Sequence, residues 1–226
     1  MQNIIPFLKE LTQNNDRDWF KGHKKQYEQT RKEFEALIEQ IISGIATFDE
    51  QVVGLNVKAS MFRIYRDVRF SKDKRPYKTQ YGAFMAENGR KSAKAGYYLH
   101  LEPGNCFLGG GLYHPWPYQL KKVRQQIDYD AMRLREIISE PEFKKIYGTL
   151  QGTQLKTAPR DYPKYHPDID LLRYKDFLAT HHFQDSIIED NDVVEYVVSR
   201  FKVLKPFNDY FNDALLFDGA EPTVSF

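Results

Sequence analysis

The densest chemistry in the chain lies in RIYRDVRFSKDKRPYKT, Arg63 to Thr79, where Arg63, Arg66, Arg69, Lys72, Lys74, Arg75 and Lys78 face only Asp67 and Asp73. Guanidinium forks match the paired oxygens of carboxylates and phosphates, and lysine holds the same groups as a point charge. Crowded cations repel one another unless a negative group offsets them, so the run asks for a counter-charge. Alternation along an extended segment puts Phe62 and Ile64 on one face and Arg63 and Tyr65 on the other, while SKDKRP supplies a turn back to Tyr77 and Lys78. The cations then collect at one end of a hairpin, where Tyr65 and Tyr77 could stack on a base or ring. Two readings stay open. In one, Arg63, Arg66, Arg69, Lys72, Lys74, Tyr77 and Lys78, joined by Arg160 and His166, form a pocket for a phosphorylated small molecule or a nucleic-acid end. In the other, the cations pair with internal carboxylates in a non-catalytic interaction module, and aromatics such as Trp116 and Tyr118 meet a protein partner.

Other chemistry-bearing residues are sparser. His166 lies in a proline-bearing stretch beside Arg160, Lys164, Asp168 and Asp170, and with Asp67 it is an acid–base candidate. HPDID could ligate a divalent ion, but Asp168 and Asp170 have an ordinary duty as caps for Leu171 and Leu172, so no metal is expected. Gly109-Gly110-Gly111 follows a strand, where bare amides can meet an anion or where a tight crossing leaves no room for a side chain; it lacks the ending of a phosphate-binding loop. His181 and His182 are adjacent on an apparent strand and point to opposite faces. There is no HExxH, GxSxG or Cys-His pattern, and neither a cofactor nor a reaction can be read from the residues.

Composition narrows the setting. Lys+Arg of 33 against Asp+Glu of 31 gives a net charge of +2, which excludes a general nucleic-acid coat and requires any electrostatic partner to be met locally. Cys106 is the only cysteine, so one chain can form neither a disulfide nor a thiolate zinc site, and a reducing compartment fits. MQNIIPFLKELTQNN has neither the basic start nor the cleavage site of a secretion signal, and no apolar run is long enough to span a membrane. A cytoplasmic protein with no membrane partner is expected. Aromatic residues make up 15%, more than a plain core requires.

The elements that must position these groups follow from periodicity. Phe34, Leu37, Ile38, Ile41, Ile42, Ile45 and Phe48 keep one helix face. Ile4 to Leu11 predicts a shorter helix with Pro6 in its first turn, and Asp16 a capped turn that Gly22 closes. From Ala59 to Leu112 the period moves toward two, predicting strands over Met61–Phe70, Tyr77–Ala86, Gly96–Leu101 and Asn105–Gly110, with a tight turn at Pro103-Gly104-Asn105. Helical spacing returns at Leu120, Val123 and Ile127 and continues through Met132–Ile138 and Phe143–Tyr147. Pro159, Pro163 and Pro167 then impose a loop, Phe177–Phe183 reads as a strand, and Val193 to Leu204 as a helix that Pro206 ends or kinks. A short helix over Asn208–Leu216 and a frayed tail over 218–226 complete the reading. The sum is a single α+β domain over 1–217, with N- and C-terminal helices packed on a mainly antiparallel sheet.

FLKELTQNNDRDWF with HKKQYEQTRKEFEALI, FRIYRDVRFSKDKRPYKT, AGYYLHLEPGNCFLGGGLYHP and LKTAPRDYPKYHPDIDLL together resemble the bacterial and fungal family called domain of unknown function 2461. The resemblance spans nearly the whole chain, and its second motif is long and shows no departure. It implies a single-domain α+β fold and brings with it no activity, cofactor or catalytic residue.

Overall fold

The computed structural model describes residues 2–216; the expected tail over 218–226 lies outside them. Helix α1 (Ile4–Gln13) buries Ile4, Ile5, Phe7, Leu8 and Leu11, and Pro6 sits in its first turn, where its missing N–H costs nothing. The Asp16 carboxylate accepts from the amides of Asp18 and Trp19, both at 2.9 Å, and so opens α2 (Arg17–Gly22). Helix α3 (Lys24–Ile45) buries Phe34, Leu37, Ile38, Ile41, Ile42 and Ile45 along the predicted face and packs against α1. Each fully buried side chain of this kind contributes about 1.5–3 kcal/mol. Asn56 caps the short α4 (Val57–Ser60) through the amide of Ala59.

Four strands follow in the order β1 (Tyr81–Met85), β2 (Gly96–Leu101), β3 (Cys106–Leu112) and β4 (Phe177–Phe183), in one antiparallel sheet. Tyr81 faces Leu101 and Met85 faces Tyr97, so the register fixes Gly82 opposite His100. The turn between β2 and β3 places Gly104 at φ +73, as its sequence requires. The expected strand over Met61–Phe70 does not form. Its backbone touches others only as isolated bridges, Met61 to Ala83 and Tyr65 to Tyr77. Its charges close on one another over a few residues, Arg69 on Asp67 and Arg66 on Asp73, and Pro76 interrupts the returning arm, so the segment becomes a loop.

Helices α5 (Pro117–Ser139), α6 (Pro141–Tyr147) and α7 (Ile169–Leu172) come next, with α5 interrupted at Asp130 (φ −147, ψ 70). A single helix α8 runs from Val193 to Leu216, so Pro206 does not divide it in two. Phe201, Leu204, Phe207, Tyr210, Phe211 and Ala214 are fully buried on both sides of the proline, and this continuous apolar stripe outweighs the lost backbone bond.

This is the α+β fold expected, with helices at both ends of the described chain. Its described residues gather into two compact units, 2–92 with Tyr97–Gly109 and His181–Lys202, and Ala93–Gly96 with Gly110–Thr180 and 203–216. In the first, Tyr97 hydrogen-bonds the buried Asp49 carboxylate at 2.7 Å and its ring meets Phe201. In the second, Asn212 brackets the backbone of Ala95, and Phe177 packs on Phe211. Gly110 and Gly111 have no space for a Cβ, because the Gly96 and Phe177 carbonyls approach them closely; this glycine pair thus serves a tight crossing. Among the described residues no helix is long and apolar enough to cross a membrane.

Candidate functional site

The cationic loop is built by its own short-range pairs. The Arg66 amide donates to the Pro76 carbonyl and the Lys78 amide to that of Ile64, while Asn15 brackets the Tyr77 backbone from both sides at 3.0 and 3.1 Å. At the tip, Arg69 grips Asp67 with two nitrogens (2.9 and 2.7 Å). Asp73 receives Arg75 at 2.8 Å and Arg66 at 2.6 Å. Hydrogen bonds from these guanidinium groups hold the Asp67 and Asp73 carboxyls below their ordinary values. Lys74 donates to the Val68 carbonyl, and Lys72 stands exposed. Tyr77 is buried against Phe20, ring centroids 3.9 Å apart.

The remaining cations face elsewhere. Arg63 and Lys78 line a cleft of about 660 Å³ in the first unit, together with Arg31 of α3, Lys58 of α4, and Arg90 and Lys91 of the 3₁₀ turn Gly89–Lys91. Tyr27, Phe62, Tyr65 and Tyr81 supply aromatic walls, and among the described residues no carboxylate lines the cleft. Two of the cations have other work. Arg90 donates to the carbonyls of Lys58, Ala59 and Met61, fixing the end of α4, and Lys58 approaches Glu35 at 3.6 Å. No ion pair reaches Arg31, Arg63, Lys78 or Lys91 among the described residues. Lys78 is half-buried over the Phe62 ring at 5.3 Å; burial first, and then the charge of Arg63, hold its ammonium below the ordinary lysine value. Burial pushes the Tyr27 and Tyr81 phenols up, which keeps them as neutral hydrogen-bonding groups, and Tyr81 pairs with the Thr30 hydroxyl at 2.9 Å.

Of the sequence candidates, the structure thus brings Arg63 and Lys78 together in the cleft and sets Arg66, Arg69 and Lys74 in the tip network. Arg160 and His166 belong to the second unit. There His166 pairs with Asp128 at 2.9 Å, and Asp168 and Asp170 both clasp Arg135 (2.9 and 2.7 Å), while Asp168 stands at the N-cap of α7 without a side-chain cap bond. Arg31, Lys58, Arg90 and Lys91 were not singled out in the sequence. The one local signal was Tyr27 four residues before Arg31, which puts both on one helix face. No group of three or more histidine, cysteine or acidic residues able to hold a metal occurs among the described residues.

A family model described as conserved hypothetical protein, DUF2461, matches residues 3–210. The chain belongs to the DUF2461 family. No curated protein and no solved structure matches it. Membership covers every residue of the cleft and adds no chemistry to it, so the geometry alone carries the functional reading.

Proposed function

We propose that the cleft of this DUF2461 protein binds a phosphate-bearing small molecule or the phosphorylated end of a nucleic acid, in the cytoplasm. The observation that carries this reading is the lining itself: Arg31, Lys58, Arg63, Lys78, Arg90 and Lys91 converge on one space without a carboxylate among them. A half-buried ammonium beside a guanidinium is costly, and an anion placed between them reverses the sign of that cost. Phe62 and Tyr65 are exposed at the rim, where a base or sugar ring can lie on them. The volume suits a nucleotide-sized ligand, since small-molecule sites run from about 300 to 1,000 Å³.

A second reading, in which the arginines are a structural network, draws support at the loop tip from the pairs Arg69–Asp67, Arg66–Asp73 and Arg75–Asp73. The two readings divide the run between them. Calorimetry and thermal shift with pyrophosphate, nucleoside mono- and triphosphates and oligonucleotides with and without a terminal phosphate, at low and high salt, test the first. Salt-sensitive binding that is lost in Arg63→Glu, with the melting midpoint kept, is the expected result. Flat curves across the whole set would refute it.

A further inference from the structure

A smaller recess of about 160 Å³ adjoins the cleft and shares Phe62 and Lys78 with it; Gln80, Gly82 and Tyr98 complete its walls. Tyr98, His100 and Glu102 are alternate residues of β2 and of the turn that follows it, so their side chains lie on one face of the sheet. They form a chain of contacts. The Tyr98 hydroxyl meets His100 Nδ1 at 3.1 Å, and His100 Nε2 meets Glu102 Oε2 at 3.3 Å. Glu102 is itself held by the Thr79 hydroxyl at 3.1 Å and the Asn105 amide at 2.9 Å. His100 is buried and stacked on Phe107, centroids 4.5 Å apart. Gly82 faces His100 across the strands, and a Cβ there would stand 2.7 Å from the Tyr98 hydroxyl; glycine leaves the space that the phenol occupies.

This is a nucleophile, a base and an orienting carboxylate in series, the arrangement that activates a weak nucleophile. We propose that Tyr98 attacks the phosphorus of a phosphate ester anchored by Lys78 and the neighbouring cations, with His100 as its base and Glu102 as the positioning residue. The proposal rests on the anion-binding reading of the cleft. A carboxylate only accepts, so Nε2 carries the imidazole proton and the Nδ1 lone pair receives the phenol proton. Burial outweighs the opposing Glu102 carboxylate and, with a lesser push from His182, holds the imidazole below its ordinary value, so it stands neutral with its Nδ1 lone pair toward the phenol. Burial works against ionisation of Glu102, but hydrogen bonds from Asn105, His100 and Thr79 outweigh it and keep the carboxyl below its ordinary value. In the step, the bond from Oη to phosphorus forms and the bond from phosphorus to the leaving oxygen breaks. The proton on His100 passes to that oxygen, giving an alcohol and a phosphotyrosyl chain. Water then returns a proton to Oη and its hydroxide to phosphorus.

The test does not need the natural ligand. An anionic sulfonyl fluoride, para-(fluorosulfonyl)benzoate, captures activated phenols: the sulfur–oxygen bond forms, fluoride leaves and the proton goes to the base. Peptide mapping should find Tyr98 sulfonylated faster than Tyr165, which is 89% exposed. In His100→Gln the rate at Tyr98 should drop by roughly a hundredfold, the low end of what a positioned base contributes. Glu102→Gln serves as the second variant should His100→Gln fail to fold. Para-nitrophenyl phosphate should release nitrophenolate in the wild type and not in Tyr98→Phe. Tyr98 reacting no faster than Tyr165, or release that is absent or persists in Tyr98→Phe, overturns the proposal. Calorimetry with pyrophosphate on the same samples separates the two ideas: binding with an inert Tyr98 leaves the cleft reading intact and removes the relay. An activated Tyr98 without pyrophosphate binding removes the cleft reading and the phosphoryl transfer that rests on it.

Discussion

Lys78→Met is the most informative single change, because it should move affinity and stability in different ways. Methionine keeps an apolar stem over Phe62 and removes only the charge. A charge-assisted hydrogen bond contributes about 1.5–3 kcal/mol, so losing it should weaken pyrophosphate binding roughly 10- to 150-fold. Bare Coulomb attraction at 4 Å would give about 4 kcal/mol in a partly buried setting, and the open cleft places the result below that figure. For the unliganded protein the balance is different. Folding disfavours the ammonium through burial and the Arg63 charge, so removing it relieves a cost, while the lost contact with Phe62 takes back about 0.5–1 kcal/mol. The melting midpoint should therefore shift by less than roughly 3 °C. Titration calorimetry at two salt concentrations and differential scanning calorimetry read the two quantities. Unchanged affinity in a folded variant, or a midpoint lower by many degrees, would refute the reasoning, since the first would remove Lys78 from anion binding and the second would make it a structural residue.

Arg69→Ala, at the exposed tip, should shift the melting midpoint by less than roughly 3 °C and leave pyrophosphate affinity within about twofold of wild type, because solvent screens its pair with Asp67; calorimetry decides. Gly82→Ala should destabilise by about 1–3 kcal/mol in urea unfolding as the new methyl meets the Tyr98 hydroxyl, and pairing it with Tyr98→Phe should recover part of the loss. The buried His100 sits below the ordinary imidazole value of 6.5, so the unfolded chain takes up the proton first. The stability His100 contributes is whole above that value and declines as pH falls below it, and His100→Gln should flatten the decline in thermal melts. Burial, aided by the nearby Asp185 carboxylate, pushes the Cys106 thiol up to about 12, so an aromatic disulfide reagent should label it only as fast as the chain opens.

Local physics was legible from the residues. The face of α3, the Asp16 cap, the glycine turn between β2 and β3 and the strand at Phe177–Phe183 all follow from periodicity or from turn chemistry that spans a few positions. Pro206 is where a local rule met a longer apolar stripe and yielded to it. Sequence also marked the cationic run as the unusual feature, because charge density along a chain needs no fold to be seen. What it could not apportion was the counter-charge. Asp67 and Asp73 satisfy Arg66, Arg69 and Arg75 at the tip, and that outcome depends on a loop where a strand was expected.

The cleft itself came only with tertiary structure. Arg31, Lys58, Arg63, Lys78 and Lys91 arrive from a helix, a helical turn, a loop, the approach to a strand and a 3₁₀ turn, and no spacing in the chain links them. The Tyr98–His100–Glu102 series shows the division in one place. Alternation put those residues on one face of a strand, yet only the antiparallel register set Gly82 opposite His100 and left the phenol room beside Lys78. Periodicity is a property of neighbours along the backbone. Electrostatic relief and open space are properties of residues that the fold brings near, and so the chain's site was decided in three dimensions.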